Sequence, residues 1–251
     1  MNLHLLTKGF WAALSFLTTL PAPAQHDQGA EVQGASLLCY PLVGLLLGAL
    51  LVASAVWLPL PDALLAGVVV AVWVALTGGL HLDGLADCAD AWMGGLGDRE
   101  RTLELLKDPL CGSMAVIVLV LTLVLKTLAV AAVLNAGAAA WLVAVPLLSR
   151  ASLPALFLST PYVRESGLGS LLAAHFPRDA ARWSLLVIAL LTWWFLPGAL
   201  GLVLLLAAGL TLYLVRQAAL RRLDGFTGDV AGALVELVEL VLLVVLAAWV
   251  A

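Results

Sequence analysis

The chain has 251 residues, of which 63% are hydrophobic and 11% are charged, and its formal net charge at pH 7 is −4. Soluble domains carry about a quarter charged residues. The composition, with a mean hydropathy of +1.10, therefore excludes a soluble globular domain and indicates a polytopic membrane protein. No basic tail suggests nucleic-acid binding, and three cysteines without CxxC spacing argue against a disulfide framework or a zinc site.

Residues 1–34 are predicted to form a helix at the membrane interface followed by a polar loop. The apolar stretch is similar to a signal peptide, because small residues at 21–24 follow it. We favour an uncleaved interfacial helix, since the apolar run is short and contains Phe10 and Trp11, which suit the depth of lipid headgroups. The predicted polar loop covers residues 25–34.

Residues 35–251 are predicted to form one transmembrane bundle, and the whole chain to be a single integral-membrane domain. The predicted spans cover residues 36–58, 63–82, 113–134, 138–158, 183–196, 199–215 and 229–250. The two segments around Pro197 are short, and we favour a hairpin over one kinked helix. The predicted fold is an all-α membrane helix bundle of about seven transmembrane helices plus the N-terminal interfacial helix.

The basic residues predict the orientation of the bundle. The polar connections 83–112, 159–182 and 216–228 hold nine Lys and Arg residues, and the short turns on the other side hold none. By the positive-inside rule, these connections face the cytoplasm together with the N-terminus.

A polar stretch at 78–90 carries three carboxylates directly after an apolar span. In a helix, Asp83, Asp87 and Asp90 are spaced i, i+4 and i+7 and share one face. Like charges so placed repel one another, and a divalent cation such as Mg²⁺ removes the repulsion. The alternative is a solvated acidic helix end, which we favour less because such ends usually mix their charges.

The other cytoplasmic connections add further candidates. Asp108 is kept extended by the proline that follows it. Asp224 and Asp229 flank a segment in which Thr227 is a predicted helix cap, where a phosphate or a metal is held near a helix N-terminus. His81 is a candidate general base or carboxylate-orienting group, or a hydrogen-bonded structural residue.

Four ionisable residues lie inside predicted spans, where charge is costly. They are Lys126, Arg150, Glu236 and Glu239. We expect an acid of the last span to pair with Arg150 or Lys126. A structural role and a substrate role stay equally open for Lys126. Arg150 is expected to contact anionic substrate, because it lies nearer the cytoplasmic end of the bundle, where the acids gather.

Carboxylates and cations gathered at one face fit Mg²⁺-assisted phosphoryl transfer, in which acids hold the metal and cations neutralise phosphate oxygens. A cation-coupled membrane transporter also uses carboxylate-rich sites. The residue pattern by itself leaves both functions open.

Four blocks of this sequence resemble the cobalamin synthase family, adenosylcobinamide-GDP ribazoletransferase. The most specific is Gly-Gly-Leu-His-Leu-Asp-Gly-Leu-Ala-Asp-Cys-Ala-Asp at 78–90, and the others lie at 16–21, 98–113 and 227–233. The first block is also similar to the Asp-Gly-x-x-Ala-Arg element of CDP-alcohol phosphotransferases. Asp87 stands where that element has Arg, which argues against a CDP-alcohol-type lipid phosphotransferase.

The resemblance implies a Mg²⁺-dependent transferase of the bacterial cytoplasmic (inner) membrane, with active-site loops 78–112, 159–182 and 216–229 facing the cytoplasm. It implies that adenosylcobinamide-GDP and α-ribazole, or α-ribazole 5'-phosphate, give adenosylcobalamin, or its 5'-phosphate, and GMP. The implied partners are these small molecules and the lipid bilayer, and a homo-oligomer and soluble corrinoid-pathway enzymes are further candidates.

The resemblance also implies roles for individual residues. The implied metal ligands are Asp83, Asp87, Asp90, Asp108 and Asp229. The implied phosphate-binding residues are Lys107, Arg150 and Arg99. The candidates for the catalytic proton acceptor are Asp87, Asp229 and His81. The supporting residues are Asp224, Glu236 and Glu239.

Overall fold

A computed structural model describes residues 3–23 and 29–251, and within these ranges the chain forms helices and no β-strand. The helices are α1 (Leu3–Leu17), α2 (Ala30–Trp57), α3 (Asp62–Thr77), α4 (Leu80–Gly95), α5 (Arg99–Leu105), α6 (Ser113–Asn135), α7 (Ala144–Ser159), α8 (Leu168–His175), α9 (Arg178–Phe195), α10 (Leu200–Leu223) and α11 (Gly228–Val250). A 3-10 turn, Ala139–Val143, leads into α7. The prediction of an all-α fold is confirmed.

Five of the described helices are long and apolar enough to cross a membrane: α2, α6, α7 with its 3-10 turn, α10 and α11. α3 passes the same test only together with α4, from which it is bent by 90°. α9 has 18 residues and begins with the charged sequence Arg-Asp-Ala-Ala-Arg. The predicted membrane bundle is confirmed, and α3 and α9 are its two short or less apolar members.

The first long helix begins earlier than expected. The prediction placed residues 25–34 in a loop, but α2 starts at Ala30, so residues 30–34 are helical. Glu31 lies in the first turn, where a carboxylate interacts favourably with the helix dipole. The part of the predicted loop at 25–28 lies outside the described residues.

α1 packs along α2 and is tied to α3. A Cβ atom on Gly9 would lie 3.2 Å from the backbone carbon of Ala35, so this glycine permits the close approach. After α1, the Thr19 amide donates to the Leu76 carbonyl at 2.8 Å. The helix predicted for the N-terminal segment is therefore present, and its position at the membrane interface stays a prediction.

The predicted hairpin is confirmed, because α9 ends at Phe195 and α10 starts at Leu200. Gly198 has φ of 57°, a left-handed conformation that glycine adopts without strain, and Pro197 precedes it. A second sharp turn separates α3 from α4. There, Gly78 and Gly79 both have positive φ, and the chain bends so that α4 crosses the beginning of α11.

Candidate active site

Two cavities share α4 as a wall. The first, which we call the acid groove, has a volume of about 510 Å³ and contains Asp83, Asp87 and Asp90. The second, which we call the aromatic cavity, has a volume of about 290 Å³ and contains Phe16, Tyr40, Phe157, Tyr162 and Phe226. Asp83 lines both, so it lies where the two spaces adjoin.

The acid groove confirms that the three motif acids share one helix face. Asp83, Asp87 and Asp90 all line it from α4, and no Lys or Arg of the described chain does. α4 lies outside the five long spans. Burial, followed by the charges of Asp83 and Asp229, raises the pKa of Asp87 to about 6. Burial and the neighbouring carboxylates thus outweigh the opposing effect of Arg164 on the pKa of Asp87.

Both carboxylate oxygens of Asp90 accept hydrogen bonds from the start of the next long helix. Its Oδ2 accepts a hydrogen bond from the Gly112 amide at 2.6 Å, and its Oδ1 accepts one from the Ala115 amide at 3.0 Å. These donors belong to the first turn of α6, which would otherwise leave amides unpaired. Asp90 therefore joins α4 to α6.

The predicted metal ligands are not gathered around one point. Asp229 lines the aromatic cavity, whereas Asp108 is exposed outside both cavities and accepts from the Leu110 amide. Across residues 3–23 and 29–251, no three His, Cys, Asp or Glu side chains are close enough to enclose an ion. Mg²⁺ usually takes one or two carboxylates and completes its shell with water and substrate phosphates. The oxygen donors Asp83 and Asp87 fit that smaller demand.

An ion pair organises the polar side of the aromatic cavity. Arg164 donates to Oδ2 of Asp229 at 2.6 Å and to the Leu106 carbonyl at 3.1 Å. Thr227 also donates to Asp229 Oδ2, at 3.1 Å, and caps α11 by accepting from the Val230 amide. The predicted cap is confirmed. Sequence reasoning did not identify Arg164 as a site residue, because its loop carries no motif.

His81 is buried in the same cavity. It is 4% exposed, and its Nδ1 has no hydrogen-bond partner among the described residues. A Cβ atom on Gly232 of α11 would lie 3.3 Å from the His81 carbonyl oxygen, so α4 and α11 pack closely here.

Two loops are joined beside the cavity. The Val163 amide donates to the Phe226 carbonyl at 3.0 Å, and the Phe226 amide donates to the Pro161 carbonyl at 3.0 Å. A Cβ atom on Gly225 would lie 2.4 Å from that Pro161 oxygen, so glycine is required for this approach. The bridge holds Tyr162 and Phe226 against each other.

The charged groups inside the bundle form a paired network, as predicted. Lys126 Nζ lies 2.5 Å from carboxylate oxygens of both Glu236 and Glu239, and Arg150 pairs with Glu239. Arg150 is fully buried and lines neither cavity, and its predicted contact with anionic substrate stays a prediction. A desolvated guanidinium requires a nearby carboxylate, and Glu239 on α11 provides it.

The remaining predicted residues lie outside both cavities. Arg99 Nε lies 3.2 Å from Asp224 Oδ2 and also donates to the Leu223 carbonyl, which links α5 to the end of α10. Lys107 is exposed. The structure therefore does not bring Arg99, Lys107 or Asp224 to the acid groove, and their predicted roles stay predictions.

Comparison with known proteins places these features in a family. The sequence profile of the family described as cobalamin-5-phosphate synthase matches residues 9–247. The chain belongs to this family.

Three similar proteins bear the name adenosylcobinamide-GDP ribazoletransferase. That of Stutzerimonas stutzeri (strain A1501) is 56% identical over 237 residues, which cover 94% of this chain and 96% of that protein. That of Pseudomonas entomophila (strain L48) is 51% identical over 240 residues, 95% and 98% of the two chains. That of Pseudomonas aeruginosa (strain PAO1) is 51% identical over 236 residues, 94% and 96% of the two chains. No solved structure is detectably similar.

The four blocks that resemble the cobalamin-5-phosphate synthase family meet around α4. The block at 78–90 forms most of α4 itself, and the block at 98–113 reaches it where Gly112 donates to Asp90. The block at 227–233 begins α11, and its Gly232 packs on His81. The block at 16–21 contributes Phe16 to the aromatic cavity.

Proposed function

We propose that this protein is an adenosylcobinamide-GDP ribazoletransferase. It joins adenosylcobinamide-GDP to α-ribazole, or to α-ribazole 5'-phosphate, and releases GMP. The observation that carries the proposal is the similarity to proteins of that name, about half identical over nearly the full length of both chains. The comparisons support neither a lipid phosphotransferase nor a cation-coupled transporter.

The reaction exchanges one phosphorus–oxygen bond for another. A free ribose hydroxyl of α-ribazole attacks the phosphorus attached to the cobinamide side, and the bond from that phosphorus to GMP breaks. The attacking hydroxyl is not the 5'-hydroxyl, because α-ribazole 5'-phosphate also reacts and keeps its 5'-phosphate in the product. The hydroxyl proton must be accepted by a base, and the charge on departing GMP must be balanced. The site therefore needs a proton acceptor near the nucleoside and positive charge near the diphosphate.

Positive charge at the acid groove has to come from a bound cation, because its lining residues supply only carboxylates. A diphosphate beside Asp83 and Asp87 without a cation would be repelled. We assign Mg²⁺ to Asp83 and Asp87, with Asp90 holding α6 in place beside them. When bound, Mg²⁺ supplies Lewis-acid neutralisation of the diphosphate oxygens.

We assign proton acceptance to the carboxylate of Asp229. Asp229 lines the aromatic cavity together with His81 and Asp83, whereas Asp87 lines only the acid groove. Hydrogen bonds from Arg164 and Thr227 fix its orientation, and a fixed base near the attacking oxygen is what proton transfer requires. Arg164 is also the cation of the aromatic cavity and balances charge that develops there.

The protein is a multi-pass membrane protein. We assign it to the bacterial inner membrane with α4 toward the cytoplasm, since residues 83–112, 159–182 and 216–228 together hold nine of the 12 Lys and Arg residues.

GMP release tests this function. Purified protein in lipid nanodiscs should release GMP from adenosylcobinamide-GDP only when α-ribazole and Mg²⁺ are both present. A chelator should stop the release, and added Mg²⁺ should restore it. GMP release that does not depend on α-ribazole, or its absence with all components present, would reject the proposal.

A further inference from the structure

We infer that the aromatic cavity binds the base of α-ribazole, so that the two substrates reach Asp83 from opposite sides of α4. The inference rests on the proposed function and assigns one substrate to one of its two cavities. The acid groove then receives the diphosphate of the other substrate.

The walls of the aromatic cavity are built from ring faces and edges. The rings of Phe16 and Tyr40 are stacked at a centroid distance of 6.2 Å. Phe226 meets Phe157 edge-on at 4.9 Å and Tyr162 at 5.3 Å. The five side chains come from α1, α2, α7 and the two bridged loops, so the cavity forms only in the folded bundle. Phe16 is 41% exposed and Tyr162 is half-buried, whereas Tyr40, Phe157 and Phe226 are buried and pack behind these two rings. A flat bicyclic base packs on the accessible ring surface by offset stacking and edge contacts.

The chemistry of the two bases separates the substrates. The 5,6-dimethylbenzimidazole base of α-ribazole has two methyl groups and no N–H donor. Guanine carries a carbonyl, an amino group and an N–H, and these groups would lose their hydrogen bonds to water between apolar rings. The apolar walls therefore favour the ribazole base over guanine.

The polar groups of the cavity fit the rest of the nucleoside. His81 and Asp83 belong to α4, and Asp229 belongs to the start of α11. A base held by the aromatic rings leaves its ribose to face these groups, and the attacking ribose hydroxyl is the group that must reach Asp229. Asp83 is shared with the acid groove, where the diphosphate is assigned.

The size of the cavity limits what can enter. Its volume of about 290 Å³ lies just below the ~300–1,000 Å³ typical of small-molecule sites. A bicyclic base with its ribose suits this volume, whereas the corrin macrocycle is much larger. The corrin part of adenosylcobinamide-GDP therefore stays outside the aromatic cavity.

Filling the cavity from its rim tests the assignment. Ser166 is exposed and lines the cavity, whereas its exposed neighbour Glu165 does not. Ser166→Trp should weaken α-ribazole binding at least about tenfold, a loss typical of a blocked pocket. Glu165→Trp, the matched control, should bind as the wild type does. Binding is measured by titration calorimetry in nanodiscs with α-ribazole alone, and KM is then measured for each substrate.

A second variant removes one wall without adding bulk. Phe16 is 41% exposed, so Phe16→Leu leaves the core intact. It should raise the KM for α-ribazole about three- to tenfold, the size expected for the loss of one aromatic contact. The KM for adenosylcobinamide-GDP should stay unchanged.

Three outcomes would overturn the assignment. They are equal effects of Ser166→Trp and Glu165→Trp, a rise only in the KM for adenosylcobinamide-GDP, and competition of GMP with α-ribazole for binding to the wild type. Failure of the proposed function would be distinguishable from failure of this assignment. The wild type would then release no GMP, whereas α-ribazole binding and its loss in Ser166→Trp would still report on the cavity.

Discussion

The backbone of Gly84 lies so close to Asp229 that a Cβ atom on Gly84 would come within 2.7 Å of the Asp229 carbonyl oxygen. This contact brings the motif helix α4 against the first turn of α11. It explains in physical terms why a glycine directly follows the first acid of the motif. Any larger residue has to push apart the two helices that carry the proposed metal ligands and the proposed base.

We expect Gly84→Ala to lower GMP release at least about tenfold, because even an ångström of displacement at a catalytic site is costly. The matched control is Gly67→Ala in α3, where an added Cβ meets nothing within 4 Å. Rates in nanodiscs and thermal denaturation are measured for both variants. A Gly84→Ala enzyme with the wild-type rate would show that the spacing of α4 and α11 is not critical.

The buried network makes a prediction about stability. Arg150→Met leaves Glu239 with Lys126 and Glu236, one negative charge in excess, and should cost about 3–5 kcal/mol of unfolding free energy. The double variant Arg150→Met/Glu239→Leu keeps the neutral pair of Lys126 and Glu236, so it should recover much of that loss.

The stabilities of Arg150→Met and of the double variant are compared with that of the wild type by thermal denaturation in detergent. Arg182→Met serves as the control, since its ion pair with Asp179 is exposed and contributes little. An Arg150→Met protein that is as stable as the wild type but inactive would contradict this structural role and support the predicted contact of Arg150 with substrate.

The features that the sequence predicted correctly depend on residue spacing within one helix or on the large free-energy cost of burying an unpaired charge. The carboxylates of α4 share a face because i, i+4 and i+7 define one, whatever the tertiary structure. Pro197 cannot donate a helix hydrogen bond and Gly198 adopts a φ of 57°, so together they separate α9 from α10. Charges within apolar spans must find partners, so pairing of Lys126 or Arg150 with an acid of the last span followed from cost alone.

The parts that sequence missed depend on how distant segments pack. Depth along a helix placed Arg150 near the acids of α4, but in the structure Arg150 lines neither cavity. The aromatic cavity joins Phe16 near one terminus to Phe226 near the other, and no periodicity connects them. Arg164 became a site residue only because its loop is bridged to the segment before α11.

Asp90 tests a structural role against a metal-binding role. Asp90→Ala removes both hydrogen bonds to the first turn of α6 and should lower the unfolding free energy by about 0.5–2 kcal/mol. Asp90→Asn keeps an acceptor oxygen and should lose less. Because both oxygens are already engaged by amides, we expect Asp90→Asn to leave the Mg²⁺ dependence of GMP release unchanged. A marked rise in the Mg²⁺ concentration required would make Asp90 a ligand.

Asp83 and Asp87 carry the proposed chemistry most directly. Asn has nearly the shape of Asp but no charge, so Asp83→Asn and Asp87→Asn should fold and insert while losing affinity for Mg²⁺. We expect GMP release to fall at least about 100-fold in each, a loss typical of removing one electrostatic group from a catalytic site. The control is Asp62→Asn, an exposed acid in the first turn of α3, at the opposite end of that helix from α4.

Each variant is assayed over a range of Mg²⁺ concentrations, with membrane insertion and thermal stability measured in parallel. Both ligand variants should need more Mg²⁺ for half-maximal release. For Asp87→Asn the rise should be larger than any change in the KM for α-ribazole, because Asp87 lines only the acid groove. Near-wild-type GMP release by both Asp83→Asn and Asp87→Asn would remove the acid groove from the active site, because neither carboxylate would then be needed for the reaction.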